Sequence, residues 1–266
     1  MKKVVSLTRR AIEQYNMIED GDKIAVGVSG GKDSLVLLNV LAELSRYYPK
    51  KFTVMGLTLD MGYDADYSKV QKMCDDLGVE YKVKKTNIKE IIFDIRKESN
   101  PCSLCAKMRR GHLYSKAKSL GCNKIALGHH FSDVVETTVM SMFYGAQLQA
   151  MPPKLHSQNF EGMELIRPMY CIREEDILAW KRYNDLEFIQ CACRFTENCT
   201  MCDNGGGGSK RQEIKILLRR LKRDNPNIEN SIFRSIHNVA IDTMPGYRSE
   251  GVDHSFLERF NAMENR

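Results

Sequence analysis

The sequence predicts an α/β fold, a doubly wound parallel sheet followed by a small C-terminal helical element that contains cysteines. Three observations carry that prediction. Short apolar runs recur at Ile24-Ala25-Val26-Gly27-Val28, Phe52 to Leu59 and Lys124-Ile125-Ala126-Leu127, with amphipathic stretches between them. This alternation builds parallel strands joined by crossover helices. A glycine-rich turn, Ser29-Gly30-Gly31-Lys32-Asp33-Ser34, follows the first run and leads straight into Leu35-Val36-Leu37-Leu38. A second polar turn, Gly128-His129-His130, closes a later strand. Both turns fall at carboxyl ends of strands, where such sheets place their ligands.

Taken in order, residues 5–17 have the period of an amphipathic helix leading into a strand over 23–28, and the helix after the glycine-rich turn runs to Tyr47. The second strand ends at Asp60, and a helix over 65–77, a strand over 80–84 and a helical stretch over 87–97 follow. Cys102 opens a basic helix reaching Leu120, ahead of the fourth strand. Two prolines then break the alternation, and Asn159-Phe160-Glu161-Gly162 reads as a hairpin turn marking the end of the core sheet. A helix over 173–184, a cysteine-rich segment over 191–202 and the flexible run Gly205 to Gly208 precede two helices over 209–224 and 226–240. The organisation expected is a core domain over 1–168, a cysteine-containing and basic helical element over 169–245, and a frayed tail over 246–266.

The chain has 266 residues, 42% of them hydrophobic, which is enough for a sizeable core. No stretch approaches the roughly 18 apolar residues of a bilayer span. The stretch Met1 to Arg10 has no apolar signal core. A soluble, cytoplasmic protein without a membrane partner is therefore expected. Nine cysteines are an odd number, which excludes a complete disulfide framework. Cys74, Cys122 and Cys171 stand alone and read as small apolar core residues. Cys102, Cys105, Cys191, Cys193, Cys199 and Cys202 are clustered, which points to metal or sulfur chemistry. The formal net charge is +6, and Lys210, Arg211, Lys215, Arg219, Arg220, Lys222 and Arg223 crowd one helix. A polyanionic partner and an ordinary solvated face both fit that crowding.

The glycine-rich turn has the chemistry of a phosphate cradle. Its glycines admit backbone N–H groups to an anion, the helix N-terminus adds its positive dipole end, and Lys32, Ser29 and Ser34 add donors. The Walker pattern is excluded, because Asp33 follows Lys32 and no glycine stands five residues before Gly31. An acid beside a phosphate repels it unless a cation intervenes, so Mg²⁺ is expected at Asp33. After Gly128-His129-His130, the acids Asp133 and Glu136 fall in a first helical turn; a capped helix with a solvent-facing histidine is the plain alternative. Cys102 and Cys105 form a C-x-x-C ahead of Lys107, Arg109 and Arg110. Two thiolates at that spacing chelate one iron or zinc, and the cations lower thiol pKa values. A redox dithiol is the alternative, though no thioredoxin-like context surrounds it.

The string S-G-G-K-D-S resembles the PP-loop of the ATP pyrophosphatase superfamily, enzymes that split ATP into AMP and pyrophosphate to activate a carbonyl oxygen. By that resemblance, residues 1–168 form an ATP-binding domain of the adenine nucleotide alpha hydrolase type, with Ser29, Gly30, Gly31, Lys32, Asp33, Ser34 and Asp60 around ATP. The segment from Gly128 resembles the G-H-x-x-D-D element of PP-loop tRNA thiolases, with Ser132 in place of the first acid. It implies that Lys32, Asp33, His129, His130 and Asp133 serve catalysis. The run P-C-x-x-C-x-x-x-R-R-G is similar to that of the TtcA family, the tRNA 2-thiocytidine synthetases. That resemblance implies ATP-dependent tRNA thiolation: a pyrimidine O2, of a cytidine in the anticodon loop, is adenylated and replaced with sulfur delivered through a 4Fe-4S cluster. It implies Cys102, Cys105 and a third cysteine after Phe188-Ile189-Gln190 as ligands; Cys191 fits that place best, with Cys193 as the alternative. It further implies tRNA as partner and a cysteine desulfurase or free sulfide as donor, with a homodimer left open. Cys199 and Cys202 exceed the family pattern, and a second metal, persulfide chemistry or no role remain open for them. Two other classes also remain: a PP-loop sulfur transferase for a small molecule, and a non-catalytic metal-containing RNA-binding protein.

Overall fold

In the computed structural model, which describes residues 2–62, 65–95, 101–184 and 210–264, one six-stranded sheet organises the chain. Its strands are β1 (Asp22–Gly27), β2 (Phe52–Asp60), β3 (Glu80–Lys85), β4 (Lys124–Ala126), β5 (Lys154–His156) and β6 (Glu164–Ile166), in the order β3-β2-β1-β4-β6-β5. β1 pairs in parallel with β2 and with β4, β2 with β3, and β4 with β6; only β5, at the edge, runs antiparallel. The chain winds outward from β1 to β3 on one side, then returns to β4 on the other. The crevice at the carboxyl ends of β1 and β4 is therefore the topological switch point, the place where such sheets bind ligands.

The helices are α1 (Lys2–Gln14), α2 (Lys32–Tyr47), α3 (Ser68–Leu77), α4 (Pro101–Ser119), α5 (Phe131–Gly145), α6 (Glu174–Tyr183), α7 (Lys210–Asp224) and α8 (Ile228–Ser235). α2 buries Leu35, Val36, Leu37, Leu38, Val40 and Leu41 on more than one face, because it lies between the sheet and the layer formed by α1 and α6. α4 covers the sheet over β2 and β4, where Ala25, Met55, Leu57, Ile125 and Leu165 meet Tyr114 and Ala117. The chain divides into two compact units, Met1–Ile216 and Leu217–Arg266. Among the described residues no helix is long and apolar enough to cross a membrane.

Two of the expected local features are present, and one differs. The turn at 159–162 joins β5 to β6 as an antiparallel hairpin, and these are the last strands of the core sheet in chain order: β6 extends it beside β4, and β5 forms its edge. The helical stretch expected over 87–97 is helical from residue 88 to residue 95, where the description ends, and it widens to a π-helix over Glu90–Ile95. The tail is ordered secondary structure, a hairpin of β7 (Gly246–Ser249) and β8 (Val252–Ser255) followed by α9 (Phe256–Glu264). Glu250 and Gly251 both adopt positive φ, 52° and 82°, as a two-residue turn matched to strand twist requires. Arg248 donates to both oxygens of Asp253 at 2.6 and 2.7 Å, and Tyr247 stacks on His254 across the strands. The cysteine-rich segment and the glycine run lie outside the described residues.

Candidate active site

The glycine-rich loop leaves β1 at Gly27 and becomes α2 at Lys32. Gly30 has φ of 82°, a left-handed conformation that explains glycine at this position. The Ser34 hydroxyl holds the loop closed by donating to the Gly31 carbonyl at 2.9 Å and accepting from the Ser29 N–H at 3.2 Å. The first N–H groups of α2 have no acceptor within their own helix, so the loop ends on a concentration of positive partial charge. The second polar turn is pressed against it. A Cβ at Gly128 would sit 2.9 Å from the Asp33 carbonyl carbon and 3.1 Å from the Ser34 nitrogen, so only glycine lets the end of β4 approach the start of α2 this closely.

A cavity of about 450 Å³ opens between these turns, within the range of about 300–1,000 Å³ usual for small-molecule sites. Ser29, Asp33, Ser34, His129 and Asp133 line its polar side. Leu59, Met61 and Leu127 supply apolar wall, and α4 contributes Arg109, Arg110 and Tyr114. Asp60 is buried and accepts the Gly62 N–H at 2.9 Å, so the wall at this strand end is made by its neighbours rather than by its own carboxylate.

The two histidines do different things. His130 is the N-cap of α5: its Nδ1 accepts the Asp133 N–H at 3.4 Å, and the Asp133 carboxylate accepts the His130 N–H at 3.0 Å. With Nδ1 accepting, the neutral ring carries its proton on Nε2, which lies 3.8 Å from Asp33 and 3.5 Å from Asp133. His129 faces the cavity. Burial, and then the charge of Arg167, push its pKa down to about 4, so the ring is neutral at pH 7. Its Nδ1 is buried and takes no hydrogen bond.

Lys32 is engaged by two carboxylates, Asp33 and the α6 residue Glu174, each at 3.1 Å. Burial works against its ammonium, but those carboxylates outweigh it and hold the pKa above the usual lysine value. From Glu174 a chain of alternating charge continues. Lys215 lies 3.5 Å from Glu174 and 3.7 Å from Glu136, and Arg211 bonds Glu136 at 2.8 Å and Asp133 at 3.1 Å. His130 closes the circuit back to Asp33. Burial raises the Glu136 carboxyl, and Lys215 and Arg211 only partly offset this. Glu174, Glu136, Arg211 and Lys215 are not marked as site residues by any motif in the sequence. Arg211 and Lys215 are turned inward, whereas Arg219, Arg220 and Arg223 on the same helix are exposed. The i, i+4 spacing of Arg211 and Lys215 beside the apolar Ile214 is the one signal that could have shown this.

Cys102 and Cys105 both belong to the amino-terminal part of α4, three residues apart in the chain. Cys105 is half-buried, with Sγ 4.0 Å from the Met61 sulfur, and so adjoins the cavity wall. Cys191 and Cys193 lie outside the described residues, as do Cys199 and Cys202. Among the described residues, no group of three or more metal-ligating side chains comes together. Cys74 and Cys122 are buried, and burial pushes the Cys74 thiol up to about 11, which suits inert core residues. Cys171 is half-buried and free.

Residues 4–194 match the family described as the PP-loop domain. The chain is 38% identical over 240 residues to a tRNA-cytidine(32) 2-sulfurtransferase of Geobacter metallireducens, covering 90% of each chain. To the enzyme of that name from Methylobacillus flagellatus it is 39% identical over 241 residues, 89% of this chain and 75% of the other. Among solved structures, the U34-tRNA thiolase NcsA from Methanococcus maripaludis, determined with its 4Fe-4S cluster, superposes with a TM-score of 0.70 at 24% identity. That match covers 90% of this chain and 78% of that one.

Proposed function

Because this chain belongs to the tRNA-cytidine(32) 2-sulfurtransferase family of PP-loop proteins, we propose that it replaces O2 of a tRNA cytidine with sulfur, using ATP to make that oxygen a leaving group. The observation that carries this reading is the cavity at the switch point. Around that one space stand the glycine-rich loop, a neutral histidine and the helix of the C-x-x-C pair, which supports this reading.

Cytidine O2 attacks the α-phosphate of ATP; the new P–O bond forms as the bond to the β-phosphate breaks, and pyrophosphate leaves with the electron pair. Ser29, Ser34, the α2 N-terminus and Lys32 stabilise the charge that develops on the phosphates, the kind of fixed electrostatics that usually contributes most to such a step. Adenylation leaves the base short of electrons, and the neutral His129, whose Nδ1 is unpartnered, takes the proton it sheds. Sulfide adds at C2, and the C2–O bond breaks as AMP departs. Cys102, Cys105 and a third cysteine, Cys191 or Cys193, would hold a 4Fe-4S cluster, which would supply the sulfide at an iron the protein does not ligate. Asp33 would hold Mg²⁺ against the phosphates; Asp33→Asn is then expected to flatten the Mg²⁺ dependence of turnover.

The exposed arginines Arg219, Arg220 and Arg223 would hold the tRNA backbone. Changing all three to Gln lowers tRNA affinity and reduces the slope of log affinity against log salt by roughly one for each phosphate that is no longer neutralised. A cysteine desulfurase or free sulfide supplies the sulfur in the cytoplasm, and light scattering decides whether the chain works as a homodimer. The deciding experiment incubates anaerobically reconstituted protein with ATP, sulfide and bulk tRNA, followed by nucleoside mass spectrometry. 2-Thiocytidine is expected with wild type and not with Cys102→Ala. Its absence from both would favour a small-molecule acceptor.

A further inference from the structure

Glu174 has two cations at its two oxygens. Oε1 lies 3.1 Å from Lys32 and Oε2 lies 3.5 Å from Lys215. Under the proposed function Lys32 serves a nucleotide phosphate, so one of its two carboxylates must release it. Asp33 is its neighbour in the chain and also lies 3.8 Å from His130. Glu174 arrives from a separate element, at the start of α6, and already has a second partner. Lys215 is equally able to change allegiance, because its other carboxylate, Glu136, keeps Arg211 at 2.8 Å. When Lys32 moves to a phosphate, no charge in this group is left without a counter-charge.

We propose that Glu174 is a positioning residue for the nucleotide half-reaction: its carboxylate occupies the place of a phosphate oxygen on Lys32, and Lys215 takes it over when nucleotide binds. The proposal rests on the reading of Lys32 as a phosphate ligand. It makes the inward face of α7 part of the ATP site rather than of the RNA-binding surface, and it assigns Glu174 and Lys215 opposite effects on nucleotide affinity.

Calorimetric titration of the full chain with α,β-methylene ATP, which cannot be split at the α-phosphate, tests this. Glu174→Gln is expected to bind about three- to fivefold tighter, the scale of one half-exposed ion pair released. Lys215→Gln is expected to bind weaker by a similar factor, and the double variant to match Glu174→Gln alone. Weaker or unchanged binding by Glu174→Gln overturns the proposal, as does a Lys215→Gln effect that persists in the double variant. Should Glu174→Gln not fold, Glu174→Asp keeps the charge but shortens the reach and carries the same sign. Lys32→Ala separates the two levels: if it leaves the affinity unchanged, the phosphate reading of Lys32 itself fails, whatever the Glu174 variants show.

Discussion

The same strands carry a cluster of charges at each end, and the two clusters are built differently. At the amino ends of β1, β4 and β6, Lys124 is almost wholly buried. It donates to the Met17 carbonyl at 3.0 Å and pairs with Asp22 at 3.1 Å and Glu164 at 2.9 Å. Asp22 in turn accepts from the Glu19 N–H and from Asn123, both at 2.7 Å. Each of the three ammonium protons has a partner, and the partners come from the two neighbouring strands and the loop before β1. At the carboxyl ends, Lys32, Glu174, Lys215 and Arg211 keep between a quarter and under half of their side-chain surface exposed. Their separations run from 2.8 to 3.8 Å, and most members have two partners of opposite charge. One cluster is arranged so that nothing can move, the other so that partners can be exchanged. A buried, fully satisfied ion group serves position, whereas half-solvated pairs cost little to break and suit a site that must admit a charged substrate.

The sharpest way to break that comparison is to remove the lysine at each end. Lys124→Met leaves the buried Asp22 carboxylate without its cation, while the partly buried Glu164 keeps Lys154 at 3.4 Å; this costs about 3–5 kcal/mol and lowers Tm by roughly 10 °C in a domain of this size. The protein that remains folded should retain its specific activity. Lys32→Ala is expected to change Tm by no more than about 4 °C, since a partly exposed pair is worth at most about 1 kcal/mol. It should nevertheless lower the ATP-dependent rate at least about 100-fold. Calorimetry beside a pyrophosphate-release assay reads both. If the two variants behaved alike, the division between the two ends would be wrong.

A smaller effect is expected where the carboxyl-end cluster meets the strand that carries it. Gly128→Ala forces a methyl group against the Asp33 backbone, an overpacking of about 1–3 kcal/mol. The clash is with the loop rather than the core, so the variant should raise KM for ATP roughly tenfold, with only a modest fall in Tm. A large fall in Tm with an unchanged KM would place Gly128 on the structural side of the comparison.

How much of this was legible in sequence follows the distance over which each signal acts. The loop Ser29 to Ser34 and the turn at Gly128 were readable because strand, glycine and helix start lie within a dozen residues. The parallel sheet made their approach predictable. The circuit through Glu174, Arg211 and Lys215 was not, because its members belong to elements far apart in the chain. In sequence, Glu174 reads only as an acid favoured by a helix dipole, and Arg211 as one more cation on a basic helix. Lys124 and Glu164 gave even less, since nothing local marks a charged residue destined for burial. The C-terminal hairpin escaped because its turn is Glu250-Gly251, without the Asn-Gly or Asp-Gly signal, between strands that bury almost nothing.

The smallest effect belongs to His129, and its sign distinguishes a buried neutral base from a paired one. Burial first, then Arg167, holds its pKa down to about 4, while the unfolded chain returns it to about 6.5. Between those values the unfolded state binds a proton that the folded state does not. The contribution to stability is therefore complete above about pH 6.5 and is lost as pH falls toward 4. In His129→Gln that part of the acid loss disappears. The difference in Tm between wild type and variant should shift by a few degrees across this window and stay constant above pH 7. Were His129 instead held charged by Asp133, the wild type would gain stability on acidification relative to the variant. The two pH profiles diverge in opposite directions, and a calorimetric series from pH 4 to 8 separates them.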